Sequence, residues 1–320
     1  MNKFIMMCGL PGSGKSTQAA EYVEKASKAV VVSSDAIRMA LWGDANDQRE
    51  PKTVFEIMFH KTVAALKEGY DVVYDATNLT AKGRKNTLAE IRQFVDCEAI
   101  LVFVACSISE CKRRQNMRDR KVPDEVIDRM ARHFEAPWYN EGWNSILVIS
   151  GGKLQNIDRE HKRMTGESHD NPHHTASLEM HCVLAEDKMC DLLADGNYSE
   201  EFSVFQKGVL TEAAYQHDLG KHKTKAFVDS KGNPSDVAHY YSHNNVGAYL
   251  WLSGDKHLEW TDEEFLLIGL LIQWHMQPFF LRDESGNYAD NLRKWCDKRG
   301  FSDYIYVMLN LIHEADKGAH

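Results

Sequence analysis

"KFIMMCGLPGSGKSTQ", residues 3–18, decides how the first half of this chain is read. An apolar run, Lys3–Cys8, feeds into Gly9-x-x-x-x-Gly14-Lys15-Ser16, and a helical pattern beginning at Lys15 leads out. This is the phosphate-loop pattern in the setting its chemistry needs. Glycines let successive backbone N–H groups turn inward around phosphate oxygens, and the following helix N-terminus adds partial positive charge. Gly9, Gly12, Ser13, Gly14 and Thr17 would shape the cradle. Lys15 would reach the β- and γ-phosphates of a bound ATP, and the Ser16 hydroxyl would ligate Mg²⁺. The competing reading, a glycine-rich turn without a ligand, is weakened by the full pattern and its flanks.

Working outward from the loop, residues 1–150 alternate apolar runs with amphipathic stretches. Strands are expected at Lys3–Cys8, Ala29–Ser33, Val72–Asp75, Ala99–Ala105 and Ser145–Ile149. Helices are expected at Lys15–Lys25, Val54–Glu68, Lys82–Phe94, Ser109–Arg118 and Asp124–Phe134. Alternation of this kind predicts an α/β domain with a parallel sheet covered on both faces. In "SSDAIR" Asp35 follows a strand, at the sheet edge where open α/β folds place their ligands. Its carboxylate could take a proton from an attacking hydroxyl, and Arg38 could clamp a phosphate; the plainer alternative makes Asp35 or Ser34 a helix N-cap. Asp75, ending "VVYD", suits a cation-organising role. Lys112–Lys121 then holds six basic residues and one acidic one, which suits a lid over transferring phosphate as well as a solvated helix face.

These residues resemble the phage-type 5′-hydroxyl polynucleotide kinases over roughly residues 3–140. The resemblance rests on Gly9–Thr17, "SSDAIR", "DATNLT" from Asp75, and "RRQNMRDRKVP". It implies that Asp35 is the general base, that Arg38 grips the 3′-phosphate of the terminal nucleotide, and that a lid arginine contacts the donor phosphates. By position the lid arginine is Arg118, with Arg114 as second candidate. The Asp-x-Asp-x-Thr phosphatase motif that follows in the phage enzyme is absent from this sequence, so any 3′-end chemistry needs another source.

The stretch 151–172 is polar and glycine-bearing and is expected to be a linker. From His173 onward strands disappear from the pattern and helical periodicity takes over, clearest in "EEFLLIGLLIQWHM" and "DYIYVMLNLIHEAD". His181, His275 and Asp316 each share a helical face with apolar residues at intervals of three, four or seven. Buried polar groups of these types are costly alone, and a metal is one explanation for finding them together. Satisfied core histidines with Asp316 as a cap are the alternative. This half resembles the HD phosphohydrolase superfamily across about residues 173–318. The resemblance rests on His181, "HDLGK" at His217–Lys221, "YYSHNNVGAYL" around His243, "LIQWHMQP" around His275 and "HEADKGA" around Asp316. It implies an all-α HD domain whose first metal takes His181, His217, Asp218 and Asp316, with His243 and His275 serving a second. Lys221 would hold a phosphate oxygen. One or two divalent transition metals are therefore expected, of unspecified identity.

Charge and composition bound the rest. Residues 1–150 hold 21 basic and 20 acidic side chains, whereas the remaining 170 hold 17 and 27, with 13 of the 15 histidines. Neither half has the global basic charge of a protein that coats nucleic acid, so nucleic acid would be held by local patches. No apolar run reaches the roughly 18 residues of a membrane span, and no targeting segment is read at the N-terminus. Seven scattered cysteines without a CxxC pair suit a reducing, cytoplasmic location, the host cytoplasm if the chain is phage-encoded. The joint expectation is an enzyme that adds phosphate at a 5′-hydroxyl end and removes it at a 3′-phosphate or 2′,3′-cyclic end. Its partners would be RNA or DNA termini and, in function, a nucleic-acid ligase; homo-oligomerisation stays open. The alternative is a small-molecule or nucleotide kinase joined to an HD nucleotidase. A third reading makes one half a degenerate sensor.

Overall fold

The five apolar runs of the first half pair into one parallel sheet in the order β2-β3-β1-β4-β5. The computed structural model describes residues 1–118, 121–171, 176–195, 201–255 and 260–319. Its strands are β1 (Lys3–Cys8), β2 (Ala29–Ser33), β3 (Asp71–Asp75), β4 (Glu98–Ala105) and β5 (Ser145–Ser150). Between them run α1 (Lys15–Lys25), α2 (Ser34–Trp42), α3 (Pro51–Lys67), α4 (Ala81–Arg92), α5 (Ile108–Asn116) and α6 (Asp124–Arg132). A 3₁₀ turn, Tyr139–Glu141, precedes β5. The central strands are apolar on both faces because both are covered. Ile5, Met7, Val73, Val102 and Val104 pack with Ala19 of α1. Phe4 and Tyr74 meet edge to face at 5.7 Å. Each such large side chain contributes about 1.5–3 kcal/mol when fully buried.

Register decides where the chemistry collects. Ser33 of β2 lies opposite Asp75 of β3, and Met6 of β1 opposite Tyr74, so the three strands finish together at their carboxyl ends. The loop after Cys8, the start of α2 and the loop after Asp75 therefore share one sheet edge. α2 lies outside the helices expected from periodicity. Its N-cap is Ser33, whose hydroxyl accepts from the Ala36 N–H, rather than Ser34 or Asp35, which leaves the Asp35 carboxylate in the first turn.

The chain divides into two compact units, Met1–Met130 with Pro137–Leu154, and Ala131–Ala136 with Gln155–His320. The second unit carries α7 (Ile157–Met164), α8 (Leu178–Ala194), α9 (Val204–Gln216), α10 (Lys221–Thr224), α11 (His243–Leu252), α12 (Asp262–Trp274), α13 (Gln277–Phe280), α14 (Ala289–Arg299) and α15 (Asp303–Lys317). Two expectations change here. The stretch 151–172 is not a plain linker: α7 lies within it, capped by Asn156, with Ile157, Glu160, His161 and Met164 buried. The region is also not purely helical, because β6 (Ala226–Val228) and β7 (Pro234–His239) pair antiparallel. The hairpin forms because the Asp229 carboxylate accepts from the Lys231 and Asn233 N–H groups while Gly232 turns at φ +85°. No helix among the described residues is long and apolar enough to cross a membrane.

Candidate functional site

In the first unit the start of the phosphate loop and the strand feeding it are tied to the segment after β3. Gly9 N–H donates to the Thr77 carbonyl, and the Asn78 amide donates to the Met7 carbonyl. Asn78 itself takes a left-handed backbone, φ +46°, and the carbonyls of Asn78 and Leu79 accept from buried Arg84. Arg84 pairs with buried Glu141 at 2.6 Å, so an ion pair sealed from solvent fixes the loop that follows Asp75. Gly12 has φ +87°, and a Cβ there would sit 2.6 Å from the Cys111 carbonyl. Only glycine can give the loop this path.

Around the loop is a cavity of about 260 Å³ lined by Gly12, Gly14, Lys15, Ser16 and Thr17, by Asp35 and Arg38, and by Asp75, Gln115 and Arg118. Ser16 Oγ donates to Asp75 Oδ2 at 2.8 Å, which places the two expected cation ligands side by side. Lys15 Nζ donates to the Leu10 carbonyl at 2.8 Å. Burial pulls Lys15 below the ordinary lysine range, against the attraction of Asp75. Arg38 is buried and lies 3.4 Å from Asp35, whose side chain is 63% exposed. Gly9 and Ser13 do not line the cavity. Ser13 is fully buried, and Gly9 brings its backbone against Ser13 and the Val104 carbonyl.

The two lid arginines separate. Arg118 lines the cavity and is exposed. Arg114 instead donates to the Gly12 carbonyl at 3.1 Å, the Gly151 carbonyl at 2.8 Å and Glu110 at 2.8 Å. It braces the back of the loop, which removes the reason for expecting it on donor phosphates. Asp119 and Arg120 of the basic run lie outside the described residues. Sequence reasoning missed Gln48, which accepts from Arg38 at 3.5 Å, and Phe55 in the cavity wall. No spacing pattern marks either one. It also missed Gly151, a signal misread as linker: a Cβ there would lie 1.9 Å from the Ser13 carbonyl.

In the second unit, six expected ligands meet as two buried groups, His181–His217–Asp316 and Asp218–His243–His275, the donor atoms of each lying within 4.8 Å of one another. α8, the end of α9, α11, the end of α12 and α15 bring them together. His181 Nε2 lies 3.0 Å from Asp316 Oδ1 and 3.3 Å from His217 Nε2. His243 Nε2 lies 3.2 Å from His275 Nε2. Asp218 faces both groups, with Oδ2 3.3 Å from His217 and Oδ1 3.3 Å from His243. The resemblance assigns Asp218 to a first cation with His181, His217 and Asp316, and its second oxygen also faces His243.

The tautomers follow from the outer contacts. Each Nδ1 meets a backbone carbonyl: Ala319 for His181, Ala214 for His217, Tyr240 for His243 and Ile272 for His275, all at 2.7–2.9 Å. A carbonyl cannot donate, so Nδ1 carries the proton and Nε2 points its lone pair at the other imidazole. Two lone pairs at 3.2–3.3 Å repel unless they share a proton or a cation. In the protein alone a proton meets this need at His217: burial opposes it, but Asp218 and Asp316 raise it to about 10. His275 goes the other way, lowered to about 3 by burial and by its histidine neighbours. Burial would raise Asp218, yet His217 and Lys221 hold it well below the carboxylate range. Orienting carbonyls behind each imidazole and mixed N/O donors fit a divalent transition cation. Lys221 Nζ lies 2.6 Å from Asp218 Oδ2, so its first partner is the bridging carboxylate, while the lysine still lines the neighbouring cavity.

Among known proteins, the sequence model of the AAA domain matches residues 4–137, the span that carries the phosphate loop, Asp35, Arg38, Asp75 and Arg118. The N-terminal unit is a kinase-like P-loop domain. A curated relative, the L-seryl-tRNA(Sec) kinase of Methanococcus maripaludis, is 24% identical over 181 residues, covering 49% of this chain and 69% of its own. A chain of the Pnkp1/Rnl/Hen1 RNA repair complex is 21% identical with a TM-score of 0.37, over 40% of this chain and 42% of that one. The gluconokinase of Sinorhizobium meliloti 1021 is 15% identical with a TM-score of 0.35, over 47% of this chain and 83% of its own. This chain therefore spans less than half the length of the RNA repair protein it resembles.

Proposed function

We propose that this protein heals broken nucleic-acid ends. The P-loop unit phosphorylates a 5′-hydroxyl from ATP, and the histidine–aspartate site removes phosphate from a 3′-phosphate or 2′,3′-cyclic end, leaving RNA or DNA termini fit for a ligase. The observation that carries the reading is the presence, in one chain, of an exposed carboxylate paired with a buried arginine beside a phosphate loop and a buried cluster of six cation-ligand side chains.

At the first site the loop N–H groups and Lys15 hold the donor phosphates. Arg38 holds the acceptor's phosphate, which sets the attacking hydroxyl beside Asp35, and the carboxylate takes its proton. Arg118 offsets charge on the transferring group. Ser16 and Asp75 would hold the divalent cation, which when bound neutralises donor phosphate charge. At the second site His181, His217, Asp218, His243, His275 and Asp316 would hold one or two cations, which when bound acidify water and polarise a phosphoryl oxygen. Lys221 orients Asp218 and supplies positive charge at the cavity floor.

The test is end-labelled RNA bearing a 5′-hydroxyl and a 3′-phosphate or 2′,3′-cyclic phosphate, incubated with the protein, ATP, Mg²⁺ and Mn²⁺. Gain of 5′ phosphate and loss of 3′ phosphate are expected. The second reading, a small-molecule or nucleotide kinase joined to a nucleotidase, draws on the size of the P-loop cavity, about 260 Å³, below the roughly 300–1,000 Å³ usual for ligand pockets. Equal rates on mononucleosides and oligonucleotides would favour it.

A further inference from the structure

The histidine–aspartate cluster opens into a cavity of about 660 Å³. That is far more than a phosphate group needs, and it falls in the range of pockets that enclose a whole small molecule. The floor carries Asp218, Lys221, His243 and Asp316, while the outer wall is aromatic. Phe280 keeps 69% of its surface exposed, and Tyr241 keeps 39%. Tyr241 lies flat on His239, with ring centroids 5.4 Å apart and planes 5° apart, so that its ring is held in place. The chain ties these rings to the floor. Tyr241 comes two residues before His243, and Phe280 ends α13, the short helix that follows His275.

One cation in this wall is built rather than loose. Arg282 lies over the Phe279 ring at 4.4 Å and donates through Nη2 to His313 Nε2 at 3.2 Å. His313 is fully buried and packed edge-on between Phe279 and Tyr288, at 4.3 and 4.6 Å. Burial, then the Arg282 charge, lowers its proton affinity, which keeps the imidazole an acceptor. One of five guanidinium donors is used by His313, and the exposed head keeps the others for a ligand. Aromatic faces with a fixed arginine are the elements that hold single-stranded nucleic acid, bases on the rings and phosphate on the cation.

We infer that this wall is a nucleotide subsite. Resting on the function proposed above, the terminal base stacks on Phe280 and Tyr241, and Arg282 takes the phosphodiester one nucleotide inward. The substrate of the second unit is then the 3′ end of a single strand rather than a small phosphate ester.

The test uses the full chain with Mn²⁺ and two substrates, a 3′-phosphorylated oligoribonucleotide and p-nitrophenyl phosphate. Phe280→Ala should raise KM for the oligonucleotide by roughly 10- to 100-fold, the loss of one stacked base, and leave the small ester unchanged. Phe280→Trp should restore it. Arg282→Ala should raise KM for the oligonucleotide but not for a nucleoside 3′-monophosphate, which lacks the inward phosphodiester. Equal effects on both substrates, or none, overturn the subsite, as does a wild type that cleaves the small ester but not the oligonucleotide. A second readout does not depend on turnover. Anisotropy of a 5′-fluorescein, 3′-hydroxyl oligonucleotide is followed in an Arg38→Ala background, so that the first unit's acceptor site is silent. Weaker binding on adding Phe280→Ala supports the subsite, and unchanged binding overturns it. If the wild type hydrolyses neither substrate, the proposed hydrolase fails while the anisotropy still decides the subsite.

Discussion

Asp35, the base proposed above, lines the cavity with its side chain exposed and a buried arginine 3.4 Å away. Asp35→Asn keeps the size and removes the proton acceptor. ATP binding should survive, and transfer to a 5′-hydroxyl should fall at least about 100-fold, the lower range for a general base. A rapid-quench assay with labelled ATP checks this, and wild-type rates would remove Asp35 from the role. Arg118 allows a sharper comparison, because a lysine keeps its charge but lacks the two-pronged guanidinium. Arg118→Lys should lose most of the activity if the fork grips phosphate, whereas full activity would reduce the residue to a solvated charge. Most residues at both candidate sites are legible in the amino-acid sequence, because their chemistry is bound to spacing: Gly9 and Gly14 five apart and followed by Lys15-Ser16, a carboxylate ending a strand, and histidines on apolar helix faces. Gln48, Phe55 and Arg282 are not legible in this way. Their partners are fixed by packing, not period, and a glutamine ten residues from Arg38 looks like any other loop glutamine.

The elements show the same division. All five strands keep at least one expected boundary, and β1 and β2 match at both, because a covered parallel sheet demands near-continuous apolar runs. Helix α7 was hidden because its buried face is half polar. Glu160 is sealed inside, 2.6 Å from His222, 2.7 Å from Arg163 and 3.2 Å from Lys223. No hydropathy pattern distinguishes such a carboxylate from a solvated one. Burial would raise Glu160, but His222 and Lys223 overcome it and bring it down to about 2 from the ordinary 4.5. A lowered folded-state value means the stabilisation is complete above about 4.5 and drains away as pH falls toward 2. The depression corresponds to at most about 3 kcal/mol. Glu160→Gln should therefore lower stability at neutral pH and flatten the acid limb between those values, as read by urea denaturation at several pH values. An unchanged acid limb would show that Glu160 does not drive it.

At the scale of the whole chain, the ligands of each site come from within one unit: the phosphate loop and its arginines from the first, the six cation-ligand side chains from the second. Asp218→Ala should abolish release of 3′ phosphate while 5′ phosphorylation continues. Chelation followed by Mn²⁺ should restore the 3′ activity of the wild type but not that of the variant, and Mg²⁺ alone should support the kinase. Loss of both activities in Asp218→Ala would mean that the two reactions are coupled. The close approach of Gly151 to the phosphate loop bears on how such a molecule can be dissected. Ending a recombinant fragment at Ser150 would follow the last strand and look reasonable on paper. It would discard the Gly151 carbonyl that anchors Arg114 and the Lys153 carbonyl that accepts from the Ser107 N–H. The four residues after the sheet serve as the bracket behind the nucleotide cradle, and a kinase fragment built to stand alone has to keep them through Leu154.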